Sequence, residues 1–148
     1  MNELEMNSLW AKWILTFAFV VMIGGICFAF IFPYMLPNVM ESFFTEITGM
    51  KLNELNPAEI RFQNLLSGVI GATMFGWGLM LAFLGYRLVQ QPVAWIWTAL
   101  TASLIAWYIS DTLTSIMAGS SLNVLLNTTI LLLAAPPLIA NRRHIVKW

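Results

Sequence analysis

The chain has 148 residues, 59% of them hydrophobic and only 9% charged, with seven Lys and Arg balanced by seven Asp and Glu. Soluble proteins carry about 25% charged residues, and a chain of this length cannot hide so much apolar surface in a soluble core; the composition excludes a soluble globular protein and predicts an all-α, single-domain membrane protein. Zero net charge without a basic tract makes nucleic acid an unexpected partner, and the single Cys27 excludes an internal disulfide or a CxxC redox pair.

Four stretches are long and apolar enough to be read as spans, a span needing about 20 residues. The first covers about residues 10–32, WAKWILTFAFVVMIGGICFAFIF. The n-region before it, MNELEM, is acidic, and no small-x-small cleavage site follows, so a retained anchor is expected rather than a cleaved signal. Cys27 falls in this stretch and is expected to pack as a small apolar residue.

The only long loop, residues 33–60, follows. Within it PNVMESFFTEITG reads as a short amphipathic helix: Val39, Met40, Phe43, Phe44 and Ile47 take one face, and Glu41, Ser42, Thr45 and Glu46 the other. Gly49 is its stop signal. Such a helix is expected to lie in the headgroup plane, as a spacer or, through Phe43 and Phe44, as a lid over the outer mouth of the bundle. The sequence NPAE at 56–59 then combines an Asn cap, Pro at the first helical position and Glu three residues on, so the next helix is expected to begin near Asn56, well before its apolar part.

The second span, about 65–86, carries a row of small residues, Gly68, Ala72 and Gly76, with Ser67 and Gly71 beside it and Gly78 seven past Gly71. The third, about 93–113, carries Ala102, Ala106 and Ser110 at the same spacing of four. In lipid, helices associate through close backbone approach, so these rows predict contact between the second and third helices, with a dimer seam as the rival reading. The Gly-rich SGVIGATMFGWG lacks a preceding strand and a following Lys-Ser/Thr, so it is no phosphate loop. The fourth span, about 123–140, is short and holds Pro136-Pro137, where a kink or an early end is expected.

Orientation follows from Lys and Arg near the span ends. Lys12, Arg87, Arg142, Arg143 and Lys147 fall on one side and Lys51 and Arg61 on the other, which predicts both termini in the cytoplasm and argues against a dual-topology transporter. Trp10, Trp13, Trp95, Trp97 and Trp148 are expected in an aromatic belt on that inner side.

Polar side chains then gather at the outer end. Asp111 closes the third span, Arg61, Gln63 and Asn64 open the second helix, and Asn123 and Asn127 share one face at the start of the fourth. An ionisable group at this depth needs a partner or water, and Arg61 is the expected partner of Asp111. Two readings stay open. Either the cluster caps the bundle, or Arg61, Asn64, Asp111, Asn123 and Asn127 line an outward-facing pocket for a small molecule or lipid headgroup.

The residues of membrane catalysis are sparse. The only histidine, His144, lies in the tail RRHIVKW and is expected to be solvated, so no haem or histidine-activated serine is expected within the spans. No metal site and no cofactor are expected. The first span has no carboxylate of the kind small proton-coupled exporters use, and Arg61 alone does not make a glutathione site. These absences lean against an enzyme without deciding it.

The order Arg61, Asn64, Gly68, Gly71, Trp77, then Trp107, Asp111, Ser115, Gly119, then Asn123, Asn127 and Pro136 resembles small uncharacterised four-helix membrane proteins of bacteria. The likeness covers about residues 57–140. It implies that the outer polar cluster is one unit, and it brings no activity; the expected location is a bacterial inner membrane. The expected function is therefore non-enzymatic: a multi-pass protein acting in the bilayer by packing against a partner membrane protein or itself. The alternative is the outward-facing binding pocket.

Overall fold

The structure, a computed structural model, describes residues 8–91 and 93–145, with the side chains of 8, 11 and 141–145 outside the description. Among the described residues there are only helices and the turns that join them. Helix α1 spans Ser8–Ile26 and continues as one π-helical stretch, Cys27–Ile31. Helix α2 spans Pro37–Thr48, α3 Pro57–Gln90, α4 Ala94–Ala118 and α5 Ser121–Ile145, with a 3-10 turn at Leu52–Glu54 before α3.

Local chemistry sets several of these limits. Asn56 Oδ1 accepts from Ala58 N at 2.8 Å and Glu59 N at 3.1 Å, and Glu59 Oε2 accepts from Asn56 N at 2.8 Å, the reciprocal cap that NPAE predicts. Gly49 and Gly119 end α2 and α4 at φ 72° and 77°, a left-handed conformation costly for a side chain with a Cβ.

Three stretches, Lys12–Ile31, Pro57–Gln90 and Ser121–Ala140, are long and apolar enough to cross a membrane. Helix α4 is long as well, but Trp, Thr, Ser and Asp111 dilute its apolar run. Large apolar side chains face outward on every long helix, among them Phe30 at 66% exposure, Phe83 at 67% and Ile139 at 71%. Helices apolar all round suit a lipid solvent.

Helix α1 lies between α3 and α5, and α5 between α1 and α4, while α3 meets α4 only lightly. The α1–α3 seam is the tightest. A Cβ placed on Gly25 would come within 2.5 Å of Phe75 N and 2.6 Å of Gly71 O, and one on Gly71 would strike Ala29 N and Gly25 O. Gly78 lies against Met22 and Ala18, and Gly85 against Ile14. The seam row of α3 is thus Ser67, Gly71, Gly78 and Gly85, all buried. The expected contact of Gly68, Ala72 and Gly76 with Ala102, Ala106 and Ser110 of α4 is not formed. Nothing lies within 4 Å of a Cβ at Gly68 or Gly76, and Ala72, Ala102, Ala106 and Ser110 are exposed. The reason is helix phase: Ser67 and Gly71 sit one residue, about 100°, from Gly68 and Ala72, and the backbone of α1 selects their side.

The apolar core gathers toward the other end, where Ile14 and Ala18 of α1 meet Leu81 and Leu88 of α3, Leu100 and Leu104 of α4, and Ala134 and Leu138 of α5. The rings of Trp77 and Trp107 bring α3 and α4 together, centroids 5.5 Å apart.

Two prolines are answered from neighbouring helices. Pro137 cannot donate to Leu133 O, four residues back; Trp13 Nε1 donates to that oxygen instead, at 2.8 Å. Pro33 cannot donate to Phe28 O, its acceptor in the π register that Phe32 N–Cys27 O establishes; Ser67 Oγ donates to it at 2.6 Å. Helix α5 accordingly runs on to Ile145 and does not end at the proline pair, correcting the expectation of an early stop. Trp97 Nε1 adds a bond to Leu138 O at 2.9 Å. Trp13 and Trp97 therefore tie helices together. The expectations for Arg142, Arg143, His144, Lys147 and Trp148 concern side chains outside the described residues.

Candidate functional site

The end of the molecule that holds the N-termini of α3 and α5 carries the polar cluster. Its centre is Asn123, half-buried on the first turn of α5. Asn123 Nδ2 donates to Asp111 Oδ1 at 3.1 Å and to Ser115 Oγ at 2.7 Å, and Ser115 Oγ donates to the Asp111 carbonyl at 2.6 Å. Asp111 and Ser115 are four apart on α4, so one face presents both to α5. Half-buried polar groups need partners, and these close on one another.

The expected pairing of Asp111 with Arg61 is not formed: Arg61 is exposed near the start of α3, and Asp111 is held by Asn123. Helix α3 packs on α1 and barely reaches α4, so the carboxylate takes its donor from α5. Asn64 makes no hydrogen bond to this cluster among the described residues. With Gln63 it lines a separate cavity of about 150 Å³ under α2. Asn127, 1% exposed, lies one turn deeper than Asn123, and its Nδ2 has no hydrogen-bond partner among the described residues; Thr101 Oγ1 and Thr112 Oγ1 share that condition on α4. Phe43 and Phe44 are half-buried on α2 and do not line that cavity.

The residue that sequence reasoning missed is Glu46. From α2 its carboxylate reaches the N-terminus of α5, accepting from Ser120 Oγ at 2.8 Å, from Ser121 Oγ, and from Leu122 N at 3.0 and 3.2 Å to its two oxygens. Ser120 Oγ in turn accepts from Asn123 N at 3.3 Å, the N-cap bond. A carboxylate at a helix N-terminus is favoured by the unpaired N–H groups and the dipole. The hydrogen bond from Ser121 holds Glu46 below its ordinary carboxylate value, with Ser120 and the Leu122 amide adding to the effect and desolvation opposing it. The legible signal was Ser120-Ser121 directly before an apolar run, an N-cap signature whose hydroxyls want an acceptor.

The network therefore runs from α2 through the start of α5 to the end of α4. It contains hydroxyls, amides and two carboxylates. Among the described residues no three of His, Cys, Asp and Glu converge as a metal site would require. What the arrangement can do is clamp helix ends together. No family model matches the sequence, and no curated protein and no solved structure shows a match to it.

Proposed function

We propose that the chain is a four-span, non-enzymatic integral membrane protein that acts by packing against a partner membrane protein or a second copy of itself. One observation carries the reading. Helix α3 has two small-residue rows, and only one is used within the chain. Gly71, Gly78 and Gly85 receive α1, while Gly68, Ala72 and Gly76 lie open to the surroundings. Close backbone approach is what drives helix association in lipid, so the open row is the place for another helix. The polar cluster supports the same reading, because Asp111, Ser115 and Asn123 are closed by their own hydrogen bonds and do not surround a cavity.

In this proposal α4, 25 residues and about 37 Å long, is the remaining span. Both termini are cytoplasmic in a bacterial inner membrane, and α2 rests at the outer headgroups with Val39 and Ile47 exposed toward lipid. Tags at both termini should be shielded from outside reagents in intact cells; labelling of either one overturns the orientation.

The test of the function is cross-linking in native membranes with Gly76→Cys in a Cys27→Ser background, beside native mass spectrometry of the wild-type chain in mild detergent. A cross-linked product, lost on Gly68→Ile, with a second polypeptide or second copy at fixed ratio supports the proposal. A lone chain that forms no cross-link overturns it.

A further inference from the structure

A second feature of the same end stands apart from the helix-packing surface. Under α2 lies a cavity of about 150 Å³. It is lined by Pro33, by Pro37 and Met40 of α2, by Leu52 of the 3-10 turn, and by Ile60, Gln63 and Asn64 of the first two turns of α3. We propose that this cavity is a binding site for one small neutral molecule, mostly apolar, that carries a hydrogen-bonding oxygen.

Size and lining set the chemistry. A space of about 150 Å³ admits a molecule near benzene in bulk. The walls are apolar except for two adjacent amides. Neither the Gln63 nor the Asn64 side chain has a hydrogen-bond partner among the described residues. Each amide offers two N–H donors and a carbonyl acceptor. An apolar pocket with a few unpaired polar groups is the usual form of a small-molecule site, the polar groups fixing orientation. No charged side chain lines the space, so nothing in its walls would offset the charge of an ion.

Helix α2, which brings Pro37 and Met40 to the space, contributes nothing to the apolar core. Helix α2 contains no buried residue, and Gly49 ends it in the left-handed conformation. Its polar hold on the long helices is the Glu46 contact with α5 and the weak approach of Ser67 Oγ to Met40 Sδ, 3.9 Å. The required chemistry can arrive from two sources: a free small molecule, or the neutral head of an amphiphile already in the membrane.

The test is a titration of the full chain in detergent micelles with phenol and with toluene, followed by the side-chain amide signals of Gln63 and Asn64 in nuclear magnetic resonance. Phenol should shift both signals saturably, with affinity about tenfold above that of toluene, which matches its bulk without the hydroxyl. Met40→Trp, which fills the cavity, should abolish the phenol response. Asn64→Leu should bring phenol and toluene to equal affinity, and it serves should the tryptophan variant not fold. Absence of saturation, equal affinity for the two probes in the wild-type chain, or a phenol response unchanged by both substitutions overturns the proposal. Repeating the phenol titration in phosphatidylcholine nanodiscs with and without diacylglycerol, whose head is a neutral hydroxyl, separates the sources: binding weakened by diacylglycerol identifies a competing lipid head, and unchanged binding a free molecule. Neither Gly68 nor Gly76 lines this cavity, so the packing proposal and this one can fail independently.

Discussion

Trp13 Nε1 stands 2.8 Å from the carbonyl oxygen of Leu133, the acceptor that Pro137 leaves without a backbone donor. The bond crosses from α1 to α5 and joins residues 120 positions apart. It lets a helix pass through two successive prolines while another helix supplies a missing hydrogen bond, a form of compensation open to membrane helices.

The substitution Trp13→Phe keeps most of the apolar bulk and removes the N–H. Unfolding in mild detergent should show a loss of about 1 kcal/mol, the scale of one interhelical hydrogen bond. In a Pro137→Ala background the backbone amide of residue 137 returns, and the same substitution should cost less than half as much. Equal costs in the two backgrounds would show that the indole acts through packing alone.

Gly71 and Gly76 lie five residues apart on α3 and should behave oppositely. Gly71→Leu drives a side chain into the backbone of α1 at Ala29 and Gly25 and should destabilise the chain by about 3 kcal/mol or more. Gly76→Leu meets open space and should leave the unfolding of the isolated chain within about 0.5 kcal/mol of wild type. Thermal or denaturant unfolding of the two variants in detergent decides the matter, and similar losses would mean that α3 is turned differently about its axis.

Asn123 and Arg61 provide the matching contrast among polar residues. Asn123→Leu removes the donor to Asp111 Oδ1 and Ser115 Oγ and leaves the carboxylate without it, which should cost about 1–3 kcal/mol. Arg61→Ala touches an exposed side chain and should change stability by less than about 0.5 kcal/mol. A large loss at Arg61 with none at Asn123 would restore the ion pair with Asp111.

Glu46 should make the seating of α2 depend on pH. Its carboxyl is held below the ordinary value in the folded chain, chiefly by Ser121. The stabilisation is therefore complete above the ordinary carboxylate range and disappears as pH falls through the lowered folded value. Nitroxide labels on Ile47→Cys and Leu125→Cys, in a Cys27→Ser background, should give a narrow distance distribution at neutral pH and a broad one once the pH has fallen through the lowered folded value. Glu46→Gln should be broad throughout. A narrow distribution in both circumstances would show that other contacts seat the helix.

What could be read from the sequence was what short-range chemistry decides. The NPAE cap placed the start of α3 and Gly49 the end of α2, because a cap or a positive φ involves neighbours along the chain. Helix phase was not legible. The rows Gly68–Ala72–Gly76 and Ser67–Gly71–Gly78 satisfy the same spacing rule, and only the backbone of another helix distinguishes them. Gly24-Gly25 in α1 was the unused sign that α1 would supply it. The partner of Asp111 was misjudged for a related reason: opposite charge named Arg61, whereas proximity on an antiparallel neighbour named Asn123. Glu46 looked like one more polar residue on a surface helix, since its acceptor role depends on serines 74 and 75 positions later.

That separation has a consequence for how the molecule is made. While the chain emerges, α2 is complete long before Ser120 and Ser121 exist, so Glu46 waits at the surface until the last helix is delivered beside it. Until then α2 is without its Glu46 anchor, and α5, once inserted, begins with an unanswered end until α2 swings onto it. The early and the late part of this region thus finish each other, and a nascent chain halted before Ser120 would lack every donor that holds Glu46.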